Sequence, residues 1–472
     1  MLDLRPILLV NGILLTFLGL AMLVPALADL ASGHPDWQVF ILSCSVTLFV
    51  GVTMALANWG HTGGLTLQQA FVLTTSVWLS CSAFGALPLR FAEIGLDYTD
   101  AFFEAMSGIT TTGATVITGL DTAPPGLLLW RALLQWLGGI GIIVMAISIL
   151  PMLQVGGMQL FRLESSDTSE KILPRATEVA GSIAFVYVTI SAACAASYAL
   201  AGMSGFDAVA HAMTTISTAG FSTYDASFGA FDSALIDGLA VTFMVLGSLP
   251  FVLYLQAVRG RPGMIWRDVQ VRWFAVIATL LVLSMTFYQT SIGLREFGDA
   301  LRYAAFNVVS IMTGTGYATT DYGAWGPFAV MAFFCIMFIG GCAGSTSCGI
   351  KIFRFNVAFA AIWAHIRRMV HPHGVFAPKY GGRVIGEDII SSVMSFFFLF
   401  FVCFVLLASA LSILGLDSLT ALSASASAIA NVGPGLGPVV GPAGTYATLP
   451  DTAKWLLALG MLLGRLELFT VL

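Results

Sequence analysis

Charge is scarce in this sequence. Asp, Glu, Lys and Arg make up 10% of its 472 residues, where an average soluble domain carries about 25%. A chain that is also 58% hydrophobic cannot cover itself with a polar surface, so it reads as an integral membrane protein. Paired cysteines are missing too. Cys44, Cys81, Cys194, Cys335, Cys342, Cys348 and Cys403 lie in apolar segments with no CxxC spacing. That excludes a disulfide framework or a cysteine metal site and leaves small buried hydrophobes. The chain has no Walker sequence, no GxGxxG after a strand, no HExxH and no GxSxG. Nucleotide hydrolysis and the familiar catalytic constellations are therefore not expected, nor is a resident cofactor. Nothing points to a nucleic-acid partner, and the regular alternation of a membrane β-barrel is absent.

What is present is a series of apolar stretches long enough for helical crossings. Ten are expected, near 7–29, 37–58, 67–89, 126–150, 179–201, 235–258, 272–290, 326–350, 389–414 and 452–470. The fold class is all-α and polytopic. Arg5, an apolar run and Ala26-Leu27-Ala28 resemble a signal peptide, but the run is long and a second span follows, so an uncleaved first helix is expected. Ten of the 20 Lys and Arg fall within 259–272 and 351–383, which assigns both segments to the cytoplasm. Counting spans from there puts both termini inside. Anionic lipid could also meet these segments, although topology alone accounts for them. His371 and His373 flank a proline in the second segment and lack further ligands nearby.

Glycine is plentiful, and four glycines carry the pattern. Gly113, Gly220, Gly316 and Gly433 recur at intervals of 107, 96 and 117 residues. Asp100-Ala101 and Ala105-Met106 precede Gly113 at the same offsets as Asp207-Ala208 and Ala212-Met213 precede Gly220. Asp299 and Asp417 stand upstream of the other two, and Gly220-Phe-Ser-Thr-Tyr-Asp225 is echoed by Gly316-Tyr-Ala-Thr-Thr-Asp321. A fourfold repeat in an apolar chain suggests four helix–pore-helix–helix units around one pore. The divisions expected are an N-terminal hairpin at 1–62 and repeats at 63–158, 159–262, 263–378 and 379–472. Counting spans puts the four glycines on the outer side. In each unit a short helix, capped by the upstream Asp or a neighbour, enters the membrane without crossing it. A strand follows whose carbonyls can replace the water around an ion, and glycine permits the backbone turn without crowding the path. The candidate strands are Thr111-Thr112-Gly113, Thr218-Ala219-Gly220, Gly314-Thr315-Gly316 and Asn431-Val432-Gly433. Asp121, Asp225 and Asp321 lie near their ends and could gather cations or simply be solvated.

Two further features stand apart. Gly340, Gly341, Gly344 and Gly349 interrupt the eighth apolar stretch, with Ser345 and Thr346 between them and Lys351 just after. Each glycine costs a helix roughly 1 kcal/mol relative to alanine, so a break is expected, and a break at membrane depth is a candidate gate or ion site. Arg465 lies about 13 residues into the last stretch beside Gly464 and Glu467. An ionisable group there is a functional candidate.

The four glycine motifs, from Ser107-Gly-Ile-Thr-Thr-Thr-Gly113 to Asn431-Val-Gly433-Pro-Gly-Leu-Gly437, resemble the TrkH/TrkG branch of the Trk/Ktr/HKT superfamily of potassium uptake proteins over essentially the whole chain. The resemblance implies a K⁺-selective pore in a bacterial inner membrane, with K⁺ as the transported ion at the four strands. Gly113 implies K⁺ preference, because some plant relatives have Ser there. The hairpin at 7–58 resembles the TrkH type. Residues 340–351 resemble an intramembrane gating loop below the filter, and Arg465 a pore-facing residue that holds it. The implied assembly is a homodimer on a cytoplasmic ring of TrkA-type nucleotide-binding subunits. A Na⁺- or H⁺-coupled symporter on the same scaffold is the alternative, weakened by the lack of paired carboxylates in the spans. The sequence departs from the family at Ser347 and Cys348, where glycines are commoner, implying a stiffer loop. Gly314 replaces a hydroxyl residue, implying a looser third strand. Relatives usually continue a little beyond the point where this sequence ends.

Overall fold

The computed structural model describes residues 3–60, 66–148 and 176–468. The expected repeat boundaries at 62/63 and 158/159 lie outside these residues.

The first helix, Arg5–Ala21, runs on as Leu23–Ser32 and ends at Gly33, whose φ of 76° gives a left-handed cap. Helix Trp37–Ala57 returns beside it. Small residues let the two backbones meet: a Cβ on Gly12 would lie 2.6 Å from Ala55 N, and one on Gly51 2.7 Å from Thr16 N. Asp36 fastens the hairpin to the next unit by accepting from Glu93 N at 3.1 Å, and His34 Nε2 lies 3.3 Å from Glu93.

Four short helices follow the same plan: Tyr98–Ile109, Gly205–Ile216, Phe297–Met312 and Ser418–Ala430. None is long enough to span a bilayer. Each follows a longer helix, and its irregular C-terminal end is buried in protein. Asp97, Ser204 and Asp417 cap three of them by accepting a backbone N–H, each worth ~1 kcal/mol. Glu296 precedes the third without a side-chain cap, and Asp299 lies in its first turn.

Among the described residues, seven helices are long and apolar enough to cross a membrane, or eight if one bent pair is a single span. Three of the ten expected crossings take another form. The 235–258 stretch is two helices, Ala234–Gly247 and Phe251–Val258, bent by 92°. Pro250 forces that break, since it lacks an N–H and clashes with a helical turn. The 326–350 stretch is helical only over Pro327–Ile336. The last helix is Asp451–Arg465, fifteen residues long, so Arg465 ends the helix instead of lying within it.

The backbone groups freed by the two breaks satisfy each other. Ser248 O and Gly247 O accept Cys342 N and Thr346 N, while Phe251 N donates to Gly344 O at 2.9 Å. The break in repeat two is thereby stitched to the break in repeat three. A two-stranded hairpin, Lys379–Tyr380 with Arg383–Val384, is the one sheet among the described residues.

Candidate functional site

Each short helix ends in the same backbone figure. Thr111, Thr218, Gly314 and Asn431, two residues before the repeat glycines, have φ of 54°, 48°, 73° and 51°. The glycines Gly113, Gly220, Gly316 and Gly433 are left-handed as well, at 85°, 85°, 83° and 103°. Left-handed geometry is strained for a β-branched residue, by about 1–3 kcal/mol, so Thr111 and Thr218 are held there by their surroundings. Gly314 adopts the conformation of its three counterparts without that strain.

The four glycines form a closed ring. A Cβ on Gly113 would lie 2.2 Å from the carbonyl oxygen of Ala219, one on Gly220 1.8 Å from that of Thr315, and one on Gly316 2.2 Å from that of Val432. A Cβ on Gly433 would lie 2.7 Å from the carbonyl oxygen of Thr112, which closes the circuit. Each segment thus abuts the residue before the next glycine, in chain order around an axis. At one end the ring opens into a vestibule bordered by Thr115, Arg131, Tyr224, Asp225 and Tyr446.

Hydroxyls and amides brace the segments from behind. Residues six before each glycine are Ser107, Thr214, Ser310 and Ser427, whose carbonyls accept the N–H groups of Thr112, Ala219, Thr315 and Val432. Gln135 grips the second segment twice, donating to Ala219 O at 2.7 Å and accepting from Phe221 N at 3.0 Å. Asn431 Nδ2 crosses to Thr112 Oγ1 at 2.9 Å, joining the fourth segment to the first. Lys454 Nζ, 2.5 Å from Asp100, ties the same two repeats at the helix level.

One group of residues escaped the sequence reading. Nine residues before the glycines stand Glu104, His211, Asn307 and Ala424. The three polar ones are fully buried, and each bonds the chain just past its own glycine. Glu104 accepts Val116 N at 2.9 Å, His211 Nε2 meets Ser222 Oγ at 2.9 Å, and Asn307 Nδ2 donates to Thr319 Oγ1 at 2.8 Å. Glu104 is also paired with buried Arg131 at 2.8 Å. Removing one partner of such a pair costs ~3–5 kcal/mol. Residue identity differs at every repeat, so only the offset counted back from each glycine would have revealed the column.

The loop 340–351 lies against the opposite end of the ring and touches all four segments. Cys348 Sγ is 3.4 Å from Thr111 Oγ1, and Thr346 Oγ1 receives Thr218 Oγ1 at 3.1 Å while donating to Ile216 O at 2.9 Å. Ser347 Oγ donates to Thr313 O at 2.6 Å, and Gly349 N donates to Ala430 O at 2.9 Å. Gly340 N and Ile350 O close the loop at its base at 2.7 Å. Ser347 and Cys348 therefore supply side-chain anchors that glycines could not. Ser345 Oγ turns back to Cys342 O at 2.6 Å, and Lys351 Nζ donates to Ser347 O.

Arg465, 3% exposed, reaches this loop. Its Nη1 donates to Cys348 Sγ at 2.8 Å and to Thr346 O at 3.3 Å, and Nη2 donates to Gly138 O at 3.4 Å. Glu467, which could have neutralised it, is paired instead with Arg354. Lys351, Arg354, Arg465 and Glu467 share one small cavity with Phe396 and Phe400.

Asp225 accepts Gly119 N at 2.8 Å and Leu120 N at 3.1 Å, so it fastens the chain beyond Gly113. Asp321 accepts Gly323 N at 2.8 Å as a local cap. Asp121, His371 and His373 are exposed.

Comparison with known proteins places this architecture. Residues 38–472 match the TrkH family, described as cation transport protein. The chain is 46% identical over 468 residues to the Trk system potassium uptake protein TrkI of Halomonas elongata, covering 99% of this chain and 95% of that protein. It is 36% identical to the Trk system potassium uptake protein TrkH of Escherichia coli, covering 99% and 97% of the two. The crystal structure of the potassium transporter TrkH from Vibrio parahaemolyticus superposes with a TM-score of 0.92 at 36% identity, over 100% of this chain and 98% of that one.

Proposed function

This chain belongs to the TrkH family of cation transport proteins, and from that premise we propose that it takes up potassium through the ring of four glycine segments. It is a multi-pass membrane transporter and not an enzyme. K⁺ enters the vestibule, sheds its water against the segments 111–113, 218–220, 314–316 and 431–433, and stops at the loop 340–351. The closed circuit of glycine-to-carbonyl contacts carries this reading. A ring of backbone segments with no side chain between neighbours can offer oxygens at fixed spacing to a dehydrated cation. The bracing hydrogen bonds keep that spacing from adapting to a smaller ion.

The loop and Arg465 are the gate. With the loop bonded to all four segments, the path below the ring is closed. The guanidinium adds a fixed positive charge there, and at 4 Å a second unit charge meets ~4 kcal/mol at an effective dielectric of about 20. The bacterial inner membrane is the site of action, with the basic segments 259–272 and 351–383 and both termini in the cytoplasm and the vestibule outside. A homodimer seated on TrkA-type nucleotide-binding subunits would supply regulation, since this sequence carries no nucleotide motif of its own.

The test is ⁸⁶Rb⁺ uptake into proteoliposomes, with external K⁺ or Na⁺ as competitor and with or without a proton gradient. Uptake is expected to be abolished by K⁺, little affected by equal Na⁺, and independent of the proton gradient. Uptake that requires Na⁺ or a proton gradient would favour the symporter. No Rb⁺ uptake by folded protein would refute transport of this ion class.

A further inference from the structure

The mouth of a cation path is an unfavourable place for a guanidinium, yet Arg131 borders the vestibule while being only 1% exposed. It does not merely neutralise Glu104. Its Nε donates to Glu104 at 2.8 Å, its Nη2 to Thr115 Oγ1 at 3.1 Å and its Nη1 to Ser222 O at 3.0 Å. Thr115 and Ser222 stand two residues past Gly113 and Gly220. One side chain therefore spans the outgoing strands of repeats one and two. The guanidinium also lies over the Phe221 ring, 4.1 Å from its centroid, which leaves it little freedom to move.

Glu104 completes the unit. Its two carboxylate oxygens accept Thr115 Oγ1 at 2.9 and 3.1 Å as well as Val116 N. His211 holds Ser222 by its hydroxyl while Arg131 holds it by its carbonyl. Among the four residues of the minus-nine column, only Glu104 is an acid, and its ion-pair partner Arg131 reaches across to the second repeat at Ser222 O.

Resting on the reading of the ring as the filter, we propose that Glu104 and Arg131 act as one positioning pair that sets ion preference. Arg131 fixes the outer ends of segments one and two against each other. Glu104 cancels the charge of that fastener so that it does not repel the entering cation. The two roles predict different failures. Without Glu104, an uncompensated cation sits beside the entry, and cation binding weakens. Without Arg131, no positive charge opposes entry, but the first two segments lose their shared fastener and can close around a smaller ion.

The experiment measures ⁸⁶Rb⁺ and ²²Na⁺ uptake by the full chain in proteoliposomes, for the unmodified protein, Glu104→Gln, Arg131→Gln and Thr115→Val. Glu104→Gln should raise the half-saturating Rb⁺ concentration about tenfold, as expected for an unscreened charge at a cation entry. Arg131→Gln should leave half-saturation no higher and lower the Rb⁺/Na⁺ uptake ratio about fivefold, in keeping with the cost of a small displacement in a positioned site. Thr115→Val removes only the hydroxyl that both side chains grip, so it tests the fastener even if the charge variants do not fold. It should lower the Rb⁺/Na⁺ ratio in the same direction. The proposal is overturned if Thr115→Val and the folded charge variants change only yield or maximal rate, with ratio and half-saturation intact. If the unmodified protein itself fails to distinguish Rb⁺ from Na⁺, the filter reading falls, and this proposal with it.

Discussion

Gly220→Ala is expected to reduce Rb⁺ flux to the background of empty liposomes while the protein still purifies as a folded species. The added methyl would lie 1.8 Å from Thr315 O and 2.9 Å from Thr315 C, both backbone atoms of the next segment. No rotamer change can relieve a clash with backbone, and φ of 85° adds strain for any L side chain. The same logic ranks the four positions. Alanine at Gly113 or Gly316 meets a carbonyl oxygen at 2.2 Å, and at Gly433 at 2.7 Å. The loss of flux should therefore be greatest at 220, intermediate at 113 and 316, and least at 433. Flux assays normalised to reconstituted protein check the order. A Gly433 variant more damaged than the Gly220 variant would contradict it.

Arg465→Ala should act in the opposite sense and raise flux through the unstimulated protein about tenfold, the factor that corresponds to ~1.4 kcal/mol. The substitution removes the hydrogen bonds from the guanidinium to Cys348 Sγ, Thr346 O and Gly138 O. It also removes a positive charge from the cavity shared with Lys351 and Arg354. Even a partial lowering of the ~4 kcal/mol repulsion estimated for close charges would suffice. Unchanged basal Rb⁺ flux would assign closure to the loop's own bonds, chiefly Ser347 to Thr313 and Gly349 to Ala430. Arg465 would then be a structural residue.

Much of this site was legible from residues alone, because its strongest constraints act on backbone conformation. A position that needs left-handed φ beside another segment's carbonyl admits little besides glycine, so Gly113, Gly220, Gly316 and Gly433 stand out by recurrence. The break at 340–349 was equally plain, since Gly340, Gly341, Gly344 and Gly349 act locally on helix formation. The four short helices followed from their distance to those glycines.

What the sequence concealed depends on contacts between distant segments. Glu104, His211 and Asn307 do one job with three different side chains, and Ala424 does not share it, so residue identity gives no repeat. Arg131 and Gln135 come from the following helix and have no counterpart in the motif. The bend after Gly247 was masked by the apolar character of 235–258, although Pro250 marked it. The sequence marks Arg465 as a candidate, but not its place at the end of a helix. Glu467 and Leu468 turn the chain there with φ of 54° and 61°, and neither is a residue type that signals such a turn. Asp225 borders the vestibule and also fastens the loop at Gly119 and Leu120, a contact that its nearness to Gly220 does not signal.

The most direct measurement is anomalous X-ray diffraction from crystals of the protein grown in RbCl. The account predicts Rb⁺ density on the axis enclosed by Gly113, Gly220, Gly316 and Gly433, on the vestibule side of residues 340–351, and its loss in Gly220→Ala crystals. Rb⁺ bound elsewhere in the protein, with an empty axis in well-ordered crystals, would contradict it.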